Sequence, residues 1–113
     1  MNSKRKGKYN AQKTVIDGIK FDSKKEANRY CELKLLLKAG EISDLHLQPI
    51  FILQEDFNKS ERHYRAITYR ADFQYVENGK TVVEDAKGVR TEVYKIKKKL
   101  FEKRFPDYTI REV

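Results

Sequence analysis

Residues 71–88 read Ala-Asp-Phe-Gln-Tyr-Val-Glu-Asn-Gly-Lys-Thr-Val-Val-Glu-Asp-Ala-Lys-Gly. The Asn78-Gly79 pair in the middle has β-prone residues on both sides. That is the strongest short-range signal for a two-residue hairpin turn, whose two positions both need positive φ. The turn sets a register in which Glu77 faces Lys80, and each outward step pairs the next two residues until Asp72 comes opposite Asp85. Opposed residues share a face with Cβ atoms about 5 Å apart, and like charges so placed are destabilising. A divalent cation between the carboxylates converts that repulsion into coordination, because Mg2+ takes hard oxygen ligands and is commonly held by one or two carboxylates with water and phosphate oxygens. Lys87 follows two residues after Asp85 on the same strand face, where an ammonium can hold a phosphate or orient an attacking water. Glu84 alternates to the opposite face and reads as structural unless a bulge exchanges the two. The plainer reading is a solvated strand face on which Asp72 and Asp85 pair with Arg70 and Lys87.

The strand entering the turn is expected from about Tyr64 to Val76 and the returning strand from Lys80 to Lys87. An earlier strand is expected over Gln48 to Gln54, with Pro49 tolerable only near its beginning. Before it, Ser23 to Ala39 is the clearest helix, closed by Gly40 where a left-handed C-cap is favoured. Ala27, Tyr30, Leu33 and Leu37 fall on one face of that helix, and Glu26 projects into the same sector. Glu26 therefore has two readings: partner of Ser23 in a capping box, or a carboxylate delivered to the core side as a further metal ligand. Thr14 to Phe21, with Asp17-Gly18 at its centre, suggests a tiny hairpin ahead of the helix. A second helix is expected from Thr91 to Phe105, where Pro106 stops it, and Tyr108 to Val113 can supply a last strand. The order is helix, three strands, helix, strand, in an α/β fold with a central mixed sheet.

At 113 residues the chain suits one domain, with residues 1–13 as a flexible basic arm and 14–113 as a single folded body. Seven tyrosines and six phenylalanines can fill its core, while the 37% charged fraction exceeds what an average soluble domain carries. The net charge of +8 is unevenly placed: residues 1–13 carry +5, residues 87–104 carry +6, and the remainder is mildly acidic. Focused positive charge attracts polyanions and releases their counterions, which makes nucleic acid the leading partner. No apolar run approaches the ~20 residues that cross a bilayer, so the expectation is a cytoplasmic protein without a membrane partner. One cysteine, Cys31, and two histidines, His46 and His63, leave no Cys/His zinc site within one chain.

Asp72 followed by Asp85-Ala86-Lys87-Gly88 in a returning strand resembles the PD-(D/E)XK nuclease superfamily, whose core runs α-β-β-β-α-β. Phe21-Asp22-Ser23-Lys24-Lys25-Glu26-Ala27, Gly40-Glu41-Ile42, Leu47-Gln48-Pro49, Ala71-Asp72-Phe73 and Val83-Glu84-Asp85-Ala86-Lys87-Gly88 look like a group of small phage and prophage proteins. The likeness runs in order from about Lys8 to the end, and the chain departs from the superfamily name in having Ala71 before Asp72. It implies a restriction-endonuclease-like core and a Mg2+-dependent DNA endonuclease, with Mn2+ as an alternative metal and no small-molecule cofactor. Asp72 and Asp85 would be metal ligands, Lys87 the catalytic lysine and Glu26 the acidic residue of the first helix. The resemblance further implies phage coding, a bacterial host cytoplasm, a homodimer as candidate assembly and branched or structured DNA as candidate substrate.

On the second helix Val93, Ile96, Leu100 and Phe101 define an apolar sector, and Lys97 falls inside it. An inward lysine must reach a counter-charge or snorkel out. The resemblance implies a polar residue of this helix at the active site, which makes Lys97 a candidate contact to the scissile phosphate with Tyr94 or Thr91 nearby. Arg90, Lys95, Lys98, Lys99, Lys103 and Arg104 then form a backbone-binding surface. Two competing readings stand beside the nuclease: a non-catalytic nucleic-acid-binding module with a nuclease-like fold, and a small regulator that docks on a protein through its basic helix.

Overall fold

The computed structural model describes residues 13–86 and 91–113. The expected arm, apart from Lys13, and the candidate residues Lys87 and Arg90 lie outside the described residues. The chain divides into two compact units, the first ending at Glu41 and the second running Ile42–Val113.

In the first unit β1 (Thr14–Ile16) and β2 (Ile19–Phe21) form the expected small hairpin, with Asp17 and Gly18 both at positive φ in its turn. Helix α1 (Lys24–Lys38) starts at Ser23, whose side chain accepts the Glu26 N–H at 3.1 Å, and Gly40 takes the left-handed conformation just beyond its end. Ala27, Tyr30 and Leu33 are buried as the periodicity predicts, whereas Leu37 and Leu35 are exposed. Phe21 and Tyr30 pack ring to ring at 5.0 Å, and the Tyr30 hydroxyl donates to Asp17 at 2.9 Å, tying the helix to the hairpin turn.

The second unit holds β3 (Ser43–Leu47), β4 (Ile50–Gln54), β5 (Phe57–Lys59), β6 (Arg62–Tyr64), β7 (Ile67–Arg70), β8 (Phe73–Glu77), β9 (Lys80–Asp85), α2 (Glu92–Arg104) and β10 (Thr109–Glu112). Its largest sheet is mixed, in the order β10-β9-β8-β3: β10 runs parallel to β9 through the α2 crossover, and the other pairs are antiparallel. Asn78-Gly79 makes the predicted turn, with both residues at positive φ and Glu77 opposite Lys80.

The expected strand from Tyr64 to Val76 is interrupted twice. β7 pairs with β4 in a separate two-stranded sheet, and the chain passes to β8 through Ala71 and Asp72. The facing chain makes the same step between β3 and β4 at Gln48-Pro49, with Gln48 at positive φ. Two bonds hold the corners together: Gln48 N–H to the Asp72 carbonyl at 2.8 Å and Ala71 N–H to the Pro49 carbonyl at 3.1 Å. One antiparallel ribbon thus bends sharply, and Pro49, which has no N–H to donate, stands at the bend. β3 is the edge of the sheet, polar and bulged at Asp44, which blunts an otherwise open edge and hides it from hydrophobic patterning.

α2 packs its Tyr94 and Phe101 onto Phe51 and Leu53 of β4, Tyr69 of β7 and Val83 of β9, with Leu100, Phe105, Tyr108 and Ile110 around them. The expected apolar sector is rotated: Val93 is 61% and Ile96 58% exposed, while Lys97 is half-buried at the edge of the true inner face. Tyr94 and Phe101 stand two turns apart, so these aromatic rings, which bury more surface than Val or Ile, direct the helix. Phe101 meets Phe51 edge-on at 5.0 Å and Tyr69 at 5.7 Å. Phe101→Ala is expected to cost about 3–5 kcal/mol, seen as a lower urea midpoint at unchanged slope. A loss below about 1 kcal/mol would show that this cluster is not the core.

Candidate functional site

β9 is buried along its outer half and carries two successive carboxylates, Glu84 at 0% and Asp85 at 1% exposure. Alternation sends them to opposite faces of the sheet. On one face Glu84 accepts a hydrogen bond from the Tyr75 hydroxyl, which itself accepts from Arg111 at 3.0 Å, and Arg111 reaches Glu77 at 3.0 Å. This network satisfies a buried acid and matches the structural reading of Glu84. The Glu77 hydrogen bond raises the Arg111 pKa further above its already high ordinary value.

Asp85 shares the other face with Val83 and, through the parallel register, with Ile110 and Glu112 of β10. Its Oδ2 accepts from the Tyr69 hydroxyl at 2.5 Å. Tyr94, reaching in from α2, donates to Glu112 Oε2 at 2.6 Å, and Lys98 Nζ lies 3.7 Å from the same oxygen. Burial first, and then the carboxylate that each phenol serves, push the Tyr69 and Tyr94 hydroxyls well above the ordinary tyrosine pKa, so both stay protonated donors.

Asp72 sits at the ribbon's bend. The β8–β9 ladder ends at Phe73 and Glu84, and the Asp72 N–H donates to the Glu84 carbonyl at 3.0 Å instead of continuing the ladder to Asp85. The expected face-to-face pair with Asp85 is therefore replaced by a bend that aims the Asp72 carboxylate along the strand end, where Oδ2 accepts the Ala86 N–H at 2.6 Å. Asp72 and Asp85 still gather at one end of the hairpin, since the Asp72 carboxylate accepts the N–H of Ala86, the residue directly after Asp85. Among the described residues no Arg or Lys pairs with Asp72, so the solvated-face reading through Arg70 is not what forms. Glu26 belongs to the first unit, where it is buried in the opening turn of α1.

The described residues contain no group of three or more His, Cys, Asp or Glu side chains arranged to hold a metal ion. An all-protein cage is thus absent among them, while two hard-oxygen carboxylates fit the pattern of Mg2+, which completes its shell with water and substrate oxygens. Lys95, Lys98 and Lys99 line an open cleft of about 400 Å3 with Tyr94, Glu102 and Glu112. Lys97 is not among its lining residues. Arg104, expected on the backbone-binding surface, instead bonds the Leu53 carbonyl at 3.3 Å and Glu55 at 3.2 Å, fastening the end of α2 to the end of β4. Tyr69 and Glu112 are the site residues that sequence reasoning missed; only the β10–β9 register and the bend at Asp72 bring them to Asp85.

An unfolded tyrosine titrates near 10, and Tyr69 and Tyr94 titrate above that in the fold. Stability from these bonds is whole below pH 10 and declines above it, where the unfolded chain releases protons that the fold retains. Tyr69→Phe is expected to cost about 1–3 kcal/mol at pH 8, by leaving Asp85 short of a donor. It should also lose less than the wild type between pH 8 and 11, by up to about 1.4 kcal/mol per pH unit above 10. Urea midpoints at the two pH values check this, and parallel declines would refute it.

No curated protein and no solved structure matches this chain. Among the described residues, no helix is long and apolar enough to cross a membrane. The family that matches residues 6–113, a span covering every element from β1 to β10, is described as "Protein of unknown function (DUF1064)", and the chain belongs to that family.

Proposed function

We propose that the second unit is the catalytic core of a Mg2+-dependent DNA endonuclease. The observation that carries this reading is the convergence of Asp72 and Asp85 at one end of the β8–β9 hairpin, each oriented by a protein donor: the Ala86 N–H for Asp72 and the Tyr69 hydroxyl for Asp85. Pre-oriented carboxylates of this kind are what a metal-assisted hydrolase needs, because the supporting donors fix ligand geometry before substrate arrives. The parallel crossover β9–α2–β10 beside an antiparallel hairpin supports kinship with the restriction-endonuclease-like core of PD-(D/E)XK enzymes. Asp72 and Asp85 would hold the ion, or Mn2+ in its place; when bound, it supplies an activated water and neutralises charge building on the phosphate. Lys87 is the proposed cation at the scissile phosphate, and Lys95 and Lys99, with Lys98 beside Glu112, receive the flanking backbone phosphates. Water adds to phosphorus and the P–O ester bond to the leaving sugar breaks, giving a phosphate end and a hydroxyl end. Glu26 has no part in this proposal, which rests on the second unit alone.

One observation favours the alternative of a non-catalytic DNA-binding module: the described residues offer two gathered carboxylates but no set of three donors. A supercoiled plasmid separates the two readings. Nicking or linearisation is expected with Mg2+ or Mn2+ and not with EDTA. Asp72→Asn and Lys87→Ala should each lower the rate at least about a hundredfold while leaving the unfolding midpoint close to that of the wild type. Full activity in either purified variant would sink the assignment.

Removing residues 1–13, with their five cations, tests the arm. The slope of log affinity for duplex DNA against log salt should shrink by about 0.9 for each phosphate the arm neutralises. An unchanged slope would exclude the arm as a DNA contact.

A further inference from the structure

Hairpin β5–β6 is a two-stranded sheet of its own, and every residue from Phe57 to Tyr64 is exposed. Its pairs are Phe57 with Tyr64, Asn58 with His63 and Lys59 with Arg62. Alternation therefore puts Phe57, Lys59, Arg62 and Tyr64 on one face and Asn58 and His63 on the other. On the second face His63 Nδ1 lies 2.8 Å from Asn58 Oδ1, and His63 Nε2 lies 3.5 Å from Asp56 Oδ2, so the polar and acidic contacts are made there.

The first face is built differently. The Phe57 and Tyr64 rings stack on each other at 4.8 Å and 13°, yet the residues remain 42% and 40% exposed. Directly beyond them Lys59 and Arg62 face each other across the hairpin, and among the described residues neither has an acidic partner. Opposed like charges destabilise a hairpin. The turn residues Ser60 and Glu61 both hold positive φ, although neither is glycine or asparagine. The stacked rings stabilise the hairpin as a cross-strand pair, but stability does not account for the two cations opposed beside them with no acidic partner among the described residues. A ligand with flat apolar faces and regularly spaced negative charge suits both features: rings stack on bases, and cations hold the phosphates between them.

We propose that the Phe57/Tyr64–Lys59/Arg62 face of hairpin β5–β6 is a stacking platform for unpaired nucleotides of a single DNA strand. The choice of DNA rests on the function proposed above; the preference for unpaired strand comes from the rings, since bases within a duplex present no free face to them. The platform lies outside the carboxylate cluster and works without a metal ion.

The test is binding of the full chain, in EDTA, to a fluorescein-labelled 12-nucleotide oligo(dT), an abasic strand of equal length and a 12-base-pair duplex. Phe57→Ala/Tyr64→Ala should weaken oligo(dT) binding at least about tenfold and leave the abasic strand and duplex within about twofold. Lys59→Ala/Arg62→Ala should weaken oligo(dT) and abasic strand together and flatten their salt dependence. Tyr64→Phe, which keeps the ring, should retain binding where Tyr64→Leu does not, so that disturbed folding cannot pass for a lost contact. Duplex retained normally with oligo(dT) indifferent to the ring variants would overturn the platform alone. Failure to retain any of the three probes would overturn the DNA reading with it.

Discussion

Two neighbouring carboxylates drawn out of water on opposite faces of one strand constrain much of the second unit. An unsatisfied buried charge carries a penalty of several kcal/mol, so Glu84 and Asp85 each require partners supplied by other elements. Glu84 takes Tyr75 from the neighbouring strand, with Arg111 behind it from β10. Asp85 takes Tyr69 from β7, a strand of a different sheet. Satisfying β9 thus links the four-stranded sheet to the β4–β7 ribbon, and α2 closes over the junction through Tyr94 and Glu112. The interactions that make the two acids tolerable also hold the layers of this unit together.

The bend of the ribbon follows from the same demand. A straight β7–β8 strand would continue the ladder and set Asp72 beside Asp85 with nothing between them. The break at Ala71 and Asp72 turns the Asp72 N–H to the Glu84 carbonyl and its side chain to the Ala86 N–H. Among the described residues a backbone donor, not a cation, is the carboxylate's partner, which holds its orientation without neutralising its charge. The described residues thus leave the charge of Asp72 uncancelled, a useful property where a cation is to be attracted and a liability otherwise.

Local chemistry made much of this legible. Asn78-Gly79 determined the β8–β9 register, Ser23 and Gly40 bounded α1, and Thr91 and Pro106 bounded α2, because turns and caps depend on nearby residues. The gathering of Asp72 with Asp85 followed from that register, although the direct opposition did not survive the bend. Features set by distant contacts were not readable. β3 is polar and bulged, so its pairing with β8 leaves no alternating pattern. The Ser60-Glu61 turn of β5–β6 lacks the glycine or asparagine that usually announces positive φ. On α2 the expected sector held for Phe101 and for Leu100 packed beside it, whereas Val93 and Ile96 are exposed and Tyr94 fills the core in their place.

The net charge of +8 overstates what a polyanion meets, because several cations are already engaged. Arg111 is held by Glu77 and Tyr75, Arg104 by Glu55 and the Leu53 carbonyl, Lys95 by Glu92 and Lys98 by Glu112. Lys59, Arg62, Lys97, Lys99 and Lys103 have no ion-pair partner among the described residues. Only cations of the second kind add their full charge to a phosphate backbone, since an engaged one must first give up its acid. In the second unit Arg65, Arg70 and Lys80 likewise have no ion-pair partner among the described residues, but two groups stand together: Lys99 and Lys103 on the exposed side of α2, with Lys97 at its edge, and Lys59 with Arg62 at the tip of hairpin β5–β6. The α2 group lies beside a cleft shared with two acids, whereas the hairpin pair stands with two aromatic rings and no acid on its face. The two surfaces therefore differ in kind: one offers charge to a backbone of any sequence or strandedness, and the other joins charge to flat apolar surface and so distinguishes exposed bases from stacked ones.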